Sequence, residues 1–166
     1  MNYITKSKAG IEYLAKRCFR NKTLFDRMTF HVITDKNWGY DARVVNKRRN
    51  KDRNDYYHII INRWSHESLA ATLLHEIGHI ENNYQRRING KRRTGEVEAE
   101  FQAQLWAIER AKELGWNKIV DQLLSWFERW ARNGVHRGHW DTCKRRYILA
   151  GRLAIERGVI QTLGTK

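Results

Sequence analysis

Hydrophobic positions change their period along this chain, and the changes divide it into elements. Ile11, Leu14, Ala15, Cys18 and Phe19 recur three or four apart, which predicts an amphipathic helix over residues 7–20. From residue 28 the period falls to two. Met28, Phe30 and Val32 alternate with Thr29, His31 and Ile33, the pattern of a half-buried strand. Asp35-Lys36-Asn37-Trp38-Gly39 carries turn chemistry, and Tyr40 to Val45 predicts a second strand. Residues 46–55 (NKRRNKDRND) are wholly polar and predict a loop. The β-branched and aromatic run Tyr56-Tyr57-His58-Ile59-Ile60-Ile61 predicts a third strand, so the strands are confined to 28–62.

Beyond that run the helical period returns. Leu69, Leu73, Ile77, Ile80 and Tyr84 mark one buried face of a helix over 66–84. Residues 85–95 (QRRINGKRRTG) break the pattern. Val97, Phe101, Leu105 and Ile108 form the stripe of a helix over 95–114, ended by Gly115. Ile119, Val120, Leu123, Leu124 and Phe127 predict a helix over 117–133, closing near Asn133-Gly134. Asp141 is placed to cap a last helix over 141–158, with Tyr147, Ala150, Leu153 and Ala154 inward. One helix, three short strands and four helices predict an α+β fold. No repeat or Ser/Gly-rich linker interrupts the 166 residues and proline is absent, so residues 1–166 are expected to form a single domain.

The helix over 66–84 carries the chemistry. His75-Glu76-Ile77-Gly78-His79 places two imidazoles four residues apart, on one helical face and one turn apart, able to grip one metal ion. In an HExxH site the adjacent carboxylate, here Glu76, takes a proton from a metal-activated water rather than binding the metal. Gly78 has no side chain, so another backbone can approach there. Zinc needs a third protein ligand, and no histidine occurs between His79 and His136. The acidic cluster Glu96-Val97-Glu98-Ala99-Glu100 opens the next helix. Glu96 and Glu100 share a face and Glu98 points elsewhere. Glu96 is expected as the third ligand, with Glu100 one turn on accepting a hydrogen bond from a ligating histidine.

An HExxH helix followed by a glutamate in an E-x-x-A-[D/N]-like setting resembles the gluzincin metallopeptidases. Among these the chain is most similar to the small intracellular ImmA/IrrE-type proteins, over about residues 56–108. Glu100 stands where Asp or Asn is usual, and the closing Leu-Leu-x-Pro is missing. The resemblance implies a mostly helical zincin-like domain with a small three-stranded sheet packed beside the HExxH helix. It implies Zn2+ held by His75, His79 and Glu96, with Glu76 as general base in peptide-bond hydrolysis. It also suggests that strand 56–61 pairs with an extended substrate. His136, His139, Tyr84 and Tyr147 are candidates for stabilising the oxyanion.

Charge enlarges the range of partners. Lysine and arginine number 32 against 18 acids, a net +14, which favours an acidic partner. The basic residues cluster at Lys47, Arg48, Arg49, Lys51 and Arg53; at Arg86, Arg87, Lys91, Arg92 and Arg93; and at Lys144, Arg145 and Arg146. The second cluster lies between the two metal-binding helices and is expected to contact an acidic or DNA-bound protein substrate, or nucleic acid itself. Trp126, Arg129 and Trp130 could add stacking surface. The alternative expectation is a basic nucleic-acid-binding or regulatory module on the same scaffold with little or no peptidase activity, and a third is an inhibitor or adaptor protein. Cys18 and Cys143 form no CxxC spacing, the first twenty residues hold no apolar core of secretory type, and no run approaches about 20 apolar residues. A cytoplasmic location without membrane contact is expected.

Overall fold

The computed structural model describes residues 7–33, 42–48, 55–62, 68–82, 87–88, 91–92, 95–132 and 142–161. It is mostly helical with a small sheet at one side. Helix α1 (Lys8–Cys18) starts where the Ser7 hydroxyl accepts from the Gly10 N–H at 3.1 Å. Its apolar stripe of Ile11, Leu14, Ala15 and Cys18 is buried. A guanidinium from a distant helix closes its other end. Arg110 donates to the Cys18 carbonyl at 2.9 Å and to the Arg17 carbonyl at 3.0 Å, a cation at the negative end of the helix dipole. The one-turn helix α2 (Lys22–Phe25) has no counterpart in the sequence reading, because four residues are too few to show a period. It is held at its entry by Glu81, whose Oε1 accepts from the N–H groups of Arg20 and Asn21, each at 3.0 Å.

Strands β1 (Met28–Ile33), β2 (Ala42–Arg48) and β3 (Asp55–Asn62) lie in the order β1-β3-β2. β1 runs parallel to β3 and β2 antiparallel to it. Tyr57, Ile59 and Ile61 point to the core with Phe30, Ala42 and Val44. Two expectations are corrected here. Asn46, Lys47 and Arg48, read as loop, pair with Tyr57, Tyr56 and Asp55. Backbone pairing at the end of a hairpin needs no apolar side chain, so polarity conceals it. Strand 56–61, a candidate for pairing with substrate, is the central strand; both its edges are already bonded, so it cannot accept a further strand. Within the segment read as a break, β4 (Arg87–Ile88) and β5 (Lys91–Arg92) pair antiparallel. The Asn89-Gly90 dipeptide between them in sequence is a strong two-residue hairpin signal.

Helices α3 (Leu69–Glu81), α4 (Glu96–Glu113), α5 (Asn117–Arg132) and α6 (Thr142–Glu156) form the helical part. Asp141, Asn133 and Gly134 lie outside the described residues. Gly115, at φ 69°, ends α4 as the left-handed residue that lets the Trp116 N–H return to the Ala111 carbonyl. α3 and α4 meet backbone to backbone. A Cβ on Gly78 would lie 2.4 Å from the Ala103 carbonyl oxygen. Just beyond α6, Arg157 donates to both oxygens of Glu98, at 2.8 and 2.9 Å, and ties the end of α6 to the start of α4. One hydrophobic cluster runs from Ile11 through Phe101 and Phe127 to Ile160. No helix among the described residues is long and apolar enough to cross a membrane.

Two outcomes follow from this packing. Gly78→Ala must force α3 and α4 apart and is expected to cost about 2–3 kcal/mol in denaturant unfolding. Gly95→Ser adds a Cβ that meets nothing within 4 Å and supplies the capping oxygen that α4 lacks, so it should gain a few tenths of a kcal/mol. Burial pushes the Cys18 thiol up to about 12, against the opposing charges of Arg110 and Arg17. Cys18 should therefore resist iodoacetamide at pH 8 in the native protein and react in guanidinium, as read by mass mapping of its peptide.

Candidate metal centre

α3 is buried from Ala70 to Ile80, so its polar groups face other helices rather than water. His75 and His79, each 5% exposed, sit one turn apart with ring centroids 4.8 Å apart. Glu76, between them in sequence, is 8% exposed. The third group comes from α4. Glu100, 2% exposed, places Oε2 3.2 Å from His75 Nε2 and 3.2 Å from His79 Nε2. The three donor atoms lie within 4.8 Å of one another, a group that could hold a metal ion. Tetrahedral bonds of about 2.0–2.1 Å set ligand atoms about 3.3–3.4 Å apart, so the carboxylate already stands at ligand spacing from both imidazoles.

A glutamine settles the tautomer of His75. Gln104, fully buried, donates through Nε2 to the Leu123 carbonyl on α5 at 2.7 Å. Its Oε1 therefore faces His75 Nδ1 as an acceptor, at 2.8 Å. The proton must sit on Nδ1, which leaves Nε2 as the ring nitrogen that faces Glu100 and is available to a cation. On the other side of Glu100, Arg146 of α6 brings Nε to Oε1 at 2.7 Å.

These contacts set the charges. Burial pushes the Glu100 carboxyl up, but charge and hydrogen bonds from His79 and His75 outweigh it and hold the group well below the usual carboxylate range. Burial pulls His75 down, and the Glu100 hydrogen bond and charge, with Glu76 and Gln104, reverse this and raise it. Both shifts favour opposite charges on the His75 ring and the Glu100 carboxylate, and a cation at Nε2 would compete with a proton there. Burial, with the Glu100 and Glu76 charges, raises the Tyr147 hydroxyl above its ordinary range, so it keeps its proton. Tyr147 packs on Trp130 with centroids 4.8 Å apart, and Trp126 and Trp130 stand edge-on to His75 at 6.1 and 5.9 Å.

The expected residues fall as follows. His75, Glu76 and His79 converge on the site. Glu100 rather than Glu96 occupies the third-ligand position; Glu96 is exposed in the first turn of α4. The reason is the crossing point. Glu96 precedes Ala103 by seven residues, about 10 Å along the axis, whereas Glu100 precedes it by about 4.5 Å. The role expected of Glu100, orienting a ligating imidazole, falls to Gln104. Glu98 points away, pairing with Arg157 and Gln102. Trp126 and Trp130, expected as a stacking surface, stand edge-on to His75. Arg87, Lys91 and Arg92 lie on the β4–β5 backbone pair, with side chains outside the described residues; Arg86, Arg93, Tyr84, His136 and His139 lie wholly outside them. Gln104 and Arg146 were not foreseen. Gln104 carried a usable signal, a polar residue one turn after Glu100 on the same face. Arg146 carried none, since its contact spans 46 positions of chain.

Compared with known proteins, the chain matches no family model, no curated protein and no solved structure. The site therefore stands on its own geometry, and the ligand assignment can be tested directly. Glu100→Gln should lose Co2+ or Zn2+ affinity by more than about 100-fold, beyond the effect of removing an outer hydrogen-bond partner. Glu96→Ala and Glu98→Ala should retain it. Elemental mass spectrometry after dialysis reads the difference, and loss in Glu96→Ala alone would reverse the assignment.

Proposed function

We propose that the protein is a zinc-dependent metallopeptidase of zincin-like fold, with His75, His79 and Glu100 as ligands and Glu76 as general base. The observation that carries this reading is the placement of Glu100 Oε2 at 3.2 Å from both histidine Nε2 atoms, with the buried Glu76 next to His75 on α3. Two imidazoles and a carboxylate suit zinc, and three protein ligands leave a fourth position for solvent or substrate. A zinc ion held there supplies a Lewis acid that acidifies water and polarises a carbonyl. Glu76 accepts the proton of the attacking water and returns it to the leaving amine. Tyr147, protonated and under the influence of both Glu100 and Glu76, is suited to donate to the developing oxyanion. Trp126 and Trp130 exclude water from the histidine side, which strengthens each of these interactions.

The substrate we favour is a protein segment of the cytoplasm, acidic or belonging to a DNA-bound protein, because the net charge of +14 steers negative chains toward the molecule. The test is hydrolysis of a disordered acidic protein by the zinc-loaded chain and by Glu76→Gln. The variant should keep its zinc and lose about 10²–10⁴-fold in rate. Equal rates in both, or none in either while nucleic acid is bound with a steep salt dependence, would favour the basic-module reading instead.

A further inference from the structure

Glu100 has two oxygens, and the structure gives them different partners. Oε2 faces the two imidazoles at 3.2 Å, while Oε1 faces Arg146 Nε at 2.7 Å. Arg146 comes from α6, is 24% exposed at its side chain, and is itself braced by Tyr147: the guanidinium lies 5.1 Å from the ring centroid and Nη2 donates to the hydroxyl at 3.3 Å. We propose that Arg146 is a positioning residue that makes Glu100 a one-oxygen ligand, fixing its rotamer before the cation arrives. This rests on the metal-centre reading above.

The physical case has two parts. A glutamate free at both oxygens loses side-chain freedom when it binds a metal, and can also chelate through both atoms. A guanidinium nitrogen 2.7 Å from Oε1 engages that oxygen as an ion pair and so removes both alternatives in advance. The second part is charge. A carboxylate at 2% exposure is costly to keep ionised, and the guanidinium balances it when no metal is bound. The same contact draws electron density from Glu100, so the ligand neutralises less of a bound cation's charge.

Co2+ is the probe, titrated into the full-length chain against a competing chelator, with visible absorption reporting coordination. The variants are Arg146→Met, Arg146→Lys and Arg157→Met. Arg146→Met should weaken Co2+ binding about 10–100-fold and alter the visible spectrum as Glu100 gains a second contact to the ion. Arg146→Lys, which keeps the charge and the fold but not the planar donor, should fall between wild type and Met. Arg157→Met removes the other arginine bridge from the α6 end to α4, through Glu98, and should leave affinity and spectrum unchanged. A wild-type affinity and spectrum in Arg146→Lys would overturn positioning by the guanidinium, whether or not the Met variant folds. Equal losses in Arg157→Met and Arg146→Met would assign the effect to helix docking and overturn it too. Wild-type protein that binds no Co2+ would instead bring down the metal-centre reading, and Arg146 with it.

Discussion

The site depends on a close approach between two helices. Gly78 lies against the carbonyl of Ala103, and a single added methyl would collide with it. That contact fixes the height at which α4 crosses α3, and the height decides which side chains meet. Around it, His75 finds Gln104, and both histidines find Glu100. Asn82 at the end of α3 donates to the Gln102 carbonyl at 3.2 Å, so the crossing is held by a hydrogen bond as well as by packing. A bulkier residue at 78 would leave the HExxH sequence intact and move its partners out of reach.

Buried polar groups are costly unless paired, and here each described partner extends the network to another helix. Gln104 ties α3 to the Leu123 carbonyl of α5. Glu100 ties α3 to Arg146 of α6. Such a cluster adds little net stability compared with an apolar core of similar volume, but removing one member strands the rest, at about 3–5 kcal/mol for a broken buried ion pair. Its effect is to specify an arrangement. Leu123 faces the hydrophobic core while its carbonyl serves the site, so the packing of α5 and the orientation of His75 are not separable.

Much of this was legible in the sequence. The apolar stripes located α1, α3, α4, α5 and α6, and the alternation at Met28–Val32 located β1, because each packs an apolar face on the core, although α3 is buried on its polar side as well. The HExxH spacing and the open backbone at Gly78 were readable as local chemistry. What escaped was set by distance between elements. Glu96 and Glu100 share a helical face, and periodicity alone cannot choose between two residues one turn apart; the crossing at Ala103 chooses. The end of β2 escaped because pairing through Asn46-Lys47-Arg48 uses backbone atoms, which a run of polar residues does not reveal. Arg146 sat in a basic run whose neighbours gave no reason to single it out.

The donor set is therefore an outcome of folding more than of the motif. Two imidazoles one turn apart are available in any helix that forms, but in isolation such a helix would have no carboxylate at ligand spacing and no fixed tautomer. Those come from α4, and α4 is held in turn by Arg110 against the carbonyls that end α1 and by Glu98 against Arg157 beyond α6. A cation that binds the assembled trio and not the unfolded chain must stabilise the whole helical part, by mass action through every one of these contacts. Conversely, undocking α6 or α1 as a whole would weaken the grip on an ion, since Glu100 reaches its position only when the helices around α4 are docked, whereas loss of one partly exposed bridge such as Arg157–Glu98 leaves that docking to the apolar core.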